Sequence, residues 1–335
     1  MDLHYWIDIF NGPHVHFFQS IDNYVNRTIL TARNYKPIPE LLDLYDVPAT
    51  IIGEHGGKDI HQKLLTSSQR IIELANFMKN KSVDIVLHKH SVEAARVAWG
   101  YAIPSISFID NELMVPQNML VCPLSNVLIA PIAISQYVLR NFTPSHVGIL
   151  QFDGVAEVAN VSDFTPDEQV LDRFDLDINK PIVVIRGEPI LAAYNHGQSL
   201  VDALVHKIHT DVPDAQIIRL NRAGEEMSKD HPVVDARSLC YYSDLVISGG
   251  GTLTREAALL GTRAITFFDH PLAVDRYLIH KKILESYPGK KILDLNFRKE
   301  LQHNTRRSRF EDFEHPFSLI PKAEKLLNLK MNGEH

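Results

Sequence analysis

The residues of this chain best suited to chemistry are Ser248-Gly249-Gly250-Gly251-Thr252. They lie between the apolar run Leu245-Val246-Ile247 and the segment Leu253-Thr254-Arg255-Glu256-Ala257-Ala258. The order predicts a strand, a glycine turn and a helix start. Glycines permit positive φ and let a ligand approach the main chain closely. The unpaired N–H groups and dipole of the following helix favour an anion over the turn. A phosphate or diphosphate suits such a turn, and so does a plain strand-to-helix connection. Arg186 ends a further apolar run, Ile182-Val183-Val184-Ile185, where a guanidinium either clamps phosphate through its fork or pairs with Glu188.

A second set of candidates lies in the first half. His14 and His16 follow the opening strand, with Asp8 and Asn11 just before them. Asp110 and Glu112 follow the predicted strand ending at Ile109 and serve either as base and sugar ligands or as an Asx turn at Asp110-Asn111. His55-Gly56-Gly57-Lys58 follows a strand and reads as a loop closing over an acceptor or as a mobile turn. His88 and His90 flank Lys89 and are expected to point to one side of a strand end, to touch substrate or to bond backbone carbonyls.

Short β-rich runs alternating with helical periods must position these groups, the mark of a parallel sheet covered on both faces. Strands are predicted at 5–10, 28–32, 49–52, 84–88, 104–109, 126–130 and 147–152, with helices at Gln62–Lys79 and Val92–Gly100. A helix start follows at Thr165-Pro166, with Thr165 as N-cap. Strands then resume at 182–186, 215–220, 233–235, 245–248, 264–268 and 292–295, before a last helix over Lys322–Leu329. Two α/β domains are expected, 1–160 and 161–335, facing a cleft into which strand C-termini present their loops.

The 335 residues exceed the usual limit of a single core, in line with two domains. A formal charge of -7 provides no basic field for nucleic acid, and the cluster from Arg298-Lys299 to Arg306-Arg307-Ser308-Arg309 reads as solvated surface. Cys122 and Cys240 lie far apart without CxxC spacing, which suits a reducing, cytoplasmic setting and indicates no thiolate metal site. The most apolar stretch, Met119–Val138, is broken by Pro123, Asn126, Pro131 and Gln136, and predicts strand and turns instead of a membrane span.

Taken together, the tandem Rossmann-like halves and the late glycine turn resemble the GT-B fold of nucleotide-sugar enzymes. More closely, the chain resembles an uncharacterised, mainly archaeal GT-B-like family, a domain of unknown function. The likeness rests on Trp6–Phe18 with Pro13-His14-Val15-His16, on Thr31-Ala32-Arg33, on His55-Gly56-Gly57, on Ile103–Ile106 with Asp110-Asn111-Glu112, and on the glycine turn. It covers nearly the whole chain. Two characterised relatives frame the reaction. Gly12-Pro13-His14 stands where the lipid II-forming N-acetylglucosaminyltransferase has a glycine-histidine loop, and Glu256 matches that enzyme's ribose-binding glutamate. The UDP-N-acetylglucosamine 2-epimerases share the late turn, but carry an acid where this chain has Lys89-His90-Ser91, and Pro-Glu-Glu where it has Val115-Pro116-Gln117.

The resemblance implies a nucleotide-diphospho-sugar, a UDP-sugar first of all, with its diphosphate on Ser248–Thr252 and Arg186. Glu256, expected in the first turn of a helix capped by Thr252, would then bind ribose, or else only favour the helix dipole. His14 is the expected base for transfer of the sugar to an acceptor, or else a structural donor. Asp110 and Glu112 would stand near the reacting carbon, and Asn11, His16, His55 and His90 on the acceptor side. No cofactor or metal is required, and a homo-oligomer is left open. Epimerisation is the alternative reaction. More distant readings are a non-catalytic nucleotide-sugar binder and a metal-dependent hydrolase, since His14-x-His16 also resembles an amidohydrolase metal pair.

Overall fold

The computed structural model describes residues 3–187, 200–220, 235–301 and 308–331. Contacts divide the chain into two compact units, one of residues 1–160 together with 314–335 and one of residues 161–313. The sequence expects 161–335 as one domain and leaves open whether the last helix packs on the first; the closing segment clusters with the first.

In the first unit, β1 (Tyr5–Ile9), β2 (Thr28–Asn34), β3 (Thr50–Glu54), β4 (Ile85–Lys89), β5 (Ser105–Phe108), β6 (Val127–Pro131) and β7 (Gly148–Phe152) form one parallel sheet. Its order is β3-β2-β1-β4-β5-β6-β7. Strand order therefore reverses between β1 and β4, where neighbouring connections leave on opposite faces and open a crevice. Every residue of β1 and β4 is buried, as strands covered on both faces require. Helix Ile60–Met78 and helix Val92–Gly100 pack on one face around Trp6, Leu74, Val86 and Val97. Ser91 caps the latter, accepting from Ala94 N at 3.2 Å.

The closing segment joins this unit for an apolar reason. Phe317, Ile320, Ala323 and Leu327 recur at helical spacing and are buried. Phe317 meets Phe17 at 4.9 Å and Phe108 at 5.4 Å between ring centroids, and Tyr5 donates to Glu324 at 2.6 Å. Phe317→Ala is expected to cost about 3–5 kcal/mol through the cavity left in this cluster. A chemical-denaturation midpoint unchanged from wild type would contradict that docking.

In the second unit, β8 (Ile182–Arg186), β9 (Gln216–Leu220), β10 (Leu245–Ser248), β11 (Arg263–Thr266) and β12 (Glu285–Ser286) are parallel in the order β12-β11-β10-β8-β9. Here the reversal falls between β8 and β10. Three expectations need correction. Ile292–Leu295 is no strand: Gly289–Asp294 is a 3-10 turn that drops Ile292 into the core, while Glu285–Ser286 takes the sheet edge. Thr165 caps no helix, since the helix runs Gln169–Arg173 and Asp167 accepts from Gln169 N at 3.0 Å ahead of it. Of the predicted strand 233–235, the first two residues lie outside the described residues, as do Glu188 and Arg306-Arg307. Asp235 caps helix Ala236–Tyr242, accepting from Arg237 N at 2.9 Å. Among the described residues no helix is long and apolar enough to cross a membrane.

Candidate functional site

In the second unit the reversal point holds the glycine turn. Ser248 pairs with Arg186 across β10 and β8, so turn and guanidinium share one strand edge. Gly249 N donates to the Arg186 carbonyl at 3.0 Å, and Ser248 Oγ to the Gly250 carbonyl at 3.0 Å, which closes the turn. Gly250 sits at φ 89 and Gly251 at φ 105. A side chain at Gly250 would also approach the Phe268 ring to 3.2 Å, so glycine is needed here for both reasons. Helix Thr252–Leu259 starts directly after. Its N-cap is Gly251, with no side-chain cap, which leaves the first N–H groups to another acceptor.

That start corrects two expectations. Thr252 is the first helical residue and not the cap, and Glu256 falls in the second turn, buried at 4% exposure. A charge that far along is poorly placed for the dipole alone. Burial, then the nearby carboxylates of Glu256 and Asp235, raise the Cys240 thiol well above its ordinary value, against the opposing field of Arg186. The fields of Glu256, Asp235 and Arg186 thus all reach Cys240. Arg255 is committed elsewhere, to Asp275 at 2.7 Å.

In the first unit, the C-terminal ends of β2, β1, β4 and β5 bring together groups distant in sequence. Asp110 receives the Lys89 ammonium at 2.7 Å and lies 3.2 Å from His90 Nε2. Burial alone would raise the Asp110 carboxyl, but Lys89 and His90 outweigh it and hold it well below the ordinary carboxylate range. Asn111, not Asp110, makes the Asx turn, accepting from Leu113 N at 2.9 Å. His90 occupies φ 53, uncommon for a non-glycine residue. His14 is buried on helix Gly12–Phe18, and its Nδ1 has no hydrogen-bond partner among the described residues. Burial, then the charge of Lys89, hold it well below the ordinary histidine value. The fields of Asp110, His90 and Arg33 also reach it, so His14 belongs to the same cluster.

Other candidates fall at its margins. Glu112 is half-buried in the turn after Asp110. Asn11, half-buried, accepts from Arg33 at 3.4 Å. His55 stacks on Tyr35 at 4.1 Å. His16 turns away to meet Tyr45 at 5.3 Å. Because His14 and His16 share a helix, residues two apart diverge by roughly 200°, so they cannot form the i, i+2 metal pair of a strand. Among the described residues no group of three His, Cys, Asp or Glu side chains is placed to hold a metal ion.

Beneath this cluster lies a network that sequence reading missed. Asp8, on fully buried β1, accepts from Arg70 at 3.0 and 2.7 Å, from Thr31 at 2.6 Å and from Ser91 at 2.5 Å. Both members of the ion pair are fully buried. Gly53 at φ 75 gives Arg70 its passage, since a Cβ there would stand 2.5 Å from Arg70 Cγ. The available signal was an arginine in the stripe Ser67-Arg70-Leu74-Met78 of an amphipathic helix.

This topology, two Rossmann-like parallel-sheet units each with polar groups at its strand-order reversal, defines a GT-B-like α/β protein. Solved structures with the same fold include the UDP-GlcNAc 2-epimerase of Methanocaldococcus jannaschii in complex with UDP-GlcNAc and UDP. Its TM-score is 0.68 at 15% identity, over 98% of this chain and 100% of that one. The UDP-GlcNAc 2-epimerase of Neisseria meningitidis bound to UDP-GlcNAc has a TM-score of 0.63 at 13% identity, with 98% and 100% coverage. The spinosyn forosaminyltransferase SpnP has 0.62 at 13%, with 98% and 100% coverage. By sequence, residues 3–327 match the family described as Protein of unknown function (DUF354), and the chain belongs to that family. It is 32% identical over 301 residues to the uncharacterized protein MJ0665 of Methanocaldococcus jannaschii, covering 84% of this chain and 86% of the relative.

Proposed function

We propose that this protein is an enzyme acting on a nucleotide-diphospho-sugar, a UDP-sugar first of all. The observation that carries the reading is the juxtaposition, at the strand-order reversal of the second unit, of Arg186, the uncapped glycine turn Ser248–Thr252 and the buried Glu256. The N–H groups of the turn and the Arg186 fork suit a diphosphate. Glu256 suits ribose hydroxyls. These groups stabilise leaving-group charge without calling on a metal. His14 and Asp110 of the first unit are the groups assigned to the sugar, with His14, held neutral by burial and Lys89, as the base. Asn11, His90 and Glu112 surround them as binding groups. The two buried free thiols suit a reducing, cytoplasmic setting.

For the reaction, rearrangement at the sugar as in the 2-epimerases is the reading that the fold likeness favours, with TM-scores to 0.68 against 0.62 for the forosaminyltransferase. Transfer to an acceptor is the second reading. It is supported by the departures from the epimerase pattern that the resemblance marks at Lys89-His90-Ser91 and Val115-Pro116-Gln117, and by Lys89 pairing with Asp110 at 2.7 Å. Incubating the protein with UDP-GlcNAc in heavy water separates them: deuterium entering the sugar without any acceptor supports rearrangement, and an inert sugar supports transfer.

Thermal-shift measurements with UDP, GDP, CDP and dTDP compounds test nucleotide binding, because a ligand at 100 times its Kd adds about 2.7 kcal/mol. A UDP-sugar is expected to raise the Tm, and Glu256→Ala to weaken that ligand roughly tenfold or more, as losing a charged hydrogen bond of about 1.5–3 kcal/mol predicts. No shift with any nucleotide would sink the reading; unchanged affinity in Glu256→Ala would remove the ribose role.

A further inference from the structure

Arg33 is the penultimate residue of β2 and is 8% exposed. Its guanidinium carbon lies 4.0 Å from the Phe10 ring centroid and 5.3 Å from that of Tyr35, which hold the planar group between them. Nη2 donates to the Phe10 carbonyl at 3.1 Å and to Asn11 Oδ1 at 3.4 Å. Nε is buried with no acceptor among the described residues. No carboxylate among the described residues makes an ion pair with Arg33, and the two acids in its field lie against Arg70 instead. Asp8 is held by Arg70, Thr31 and Ser91. Glu93 accepts from Ser67 at 2.9 Å and lies 3.6 Å from Arg70. Those two acids exceed Arg70 by one charge and offset Arg33 from a distance, yet they leave its donors unused. A buried guanidinium with donors to spare is completed by an acceptor from elsewhere.

Two neighbours point the same way. His55 stacks on Tyr35, the same ring that faces Arg33. Its Nδ1 accepts from Gly57 N at 3.1 Å, which puts the ring proton on Nε2 as a donor. Asn11 spends its carbonyl oxygen on Arg33 and keeps its amide N–H groups. The three side chains thus offer donors only, whereas Lys89 is already matched by Asp110.

We propose that Arg33, with Asn11 and His55, binds an oxyanion that the substrate carries apart from the nucleotide diphosphate. The substrate class is then acidic: either the nucleotide-linked sugar bears a carboxylate, or a second substrate bears a carboxylate or phosphate. This rests on the first unit being the sugar-directed half of the enzyme proposed above.

Calorimetric titration of the full chain separates the sources. One arm compares UDP, UDP-glucose and UDP-glucuronate; the other titrates glucose, glucuronate and glucose 6-phosphate into UDP-saturated protein. An acidic ligand is expected to bind at least tenfold tighter than its neutral counterpart in one arm. Arg33→Gln is expected to erase that preference with UDP affinity unchanged, and Arg33→Lys to keep part of it. The comparison on wild-type protein needs no variant to fold. Equal affinity for acidic and neutral ligands in both arms would overturn the proposal, and so would loss of UDP binding itself in a folded Arg33→Gln protein, which would put Arg33 on the diphosphate. If no nucleotide binds at all, the nucleotide-sugar reading fails. The Arg33 site is then decided by glucuronate and glucose 6-phosphate titrated into the ligand-free protein, binding dependent on Arg33 supporting it and none overturning it.

Discussion

Replacing Asp8 by alanine is expected to destabilise the protein by about 3–5 kcal/mol, because it strips the buried Arg70 guanidinium of the carboxylate that accepts two of its N–H groups. What remains to Arg70 is weaker: the Ile52 carbonyl at 2.9 Å and the more distant carboxylate of Glu93 at 3.6 Å. The loss reaches further than one pair. Ser91 both bonds Asp8 and caps helix Val92–Gly100, so Asp8 ties the cap to β1. His90, held at φ 53 one residue earlier, then loses a restraint, and with it the grip of Lys89 and His90 on Asp110. A double variant, Asp8→Asn with Arg70→Met, removes both charges and is expected to recover much of the stability.

The pH dependence supplies an independent check. Burial opposes the Asp8 charge, but Arg70 and the hydroxyl donors outweigh it and lower the carboxyl below its ordinary value of 3.8. The folded state thus binds the proton less readily than the unfolded one. The stabilisation is fully present above the unfolded pKa and is lost as pH falls through the lowered one. Denaturation midpoints in wild type should fall across that acidic window more steeply than in Asp8→Asn. A cost below about 1 kcal/mol for Asp8→Ala at neutral pH, on the scale of an exposed pair, would show that the network does not carry the first unit.

Local signals were legible in the sequence, and distant pairings were not. The strand Ile182–Arg186 and the helix Val92–Gly100 stand where their apolar periods put them. The glycine turn was readable because positive φ at Gly250 and Gly251 is a local demand on residue type. Ile292–Leu295 misled for the same reason in reverse: a short apolar quartet suits a strand or a buried turn equally, and only packing against β8 and β10 decides. The first-unit cluster is non-local. Asp8 meets Arg70 across 62 residues and His90 meets Asp110 across 20. No spacing rule pairs them until the order β2-β1-β4-β5 lays their strand ends side by side. The same ordering separates His14 from His16, since the chain folds into a helix at Gly12 where an extended strand would have aligned them.

His14→Ala is expected to lower kcat roughly 10²–10⁴-fold, the range for loss of a general base, while leaving nucleotide affinity unchanged. The split follows from the fold: the groups assigned to the nucleotide belong to the second unit, and His14 belongs to the first. Its environment fits a base that is ready without being strong. Burial and the Lys89 charge keep the imidazole in its basic form at neutral pH. Asp110, by contrast, is held low by Lys89 and His90 and is a poor proton acceptor, so it is suited to orienting Lys89 and His90. Asp110→Asn should therefore cost activity mainly by releasing Lys89, whose freed charge depresses His14 further. The acid limb of the kcat/KM profile distinguishes these roles. With His14 as base, activity should hold as pH falls through 6.5, the ordinary histidine value, and decline only at the lower pKa of the buried ring. In Asp110→Asn that limb should move to still lower pH, because protonating His14 beside an unpaired ammonium is harder. An acid limb unmoved by Asp110→Asn, or a kcat within about threefold of wild type in His14→Ala, well short of the general-base range, would take the proton from His14 and assign it elsewhere.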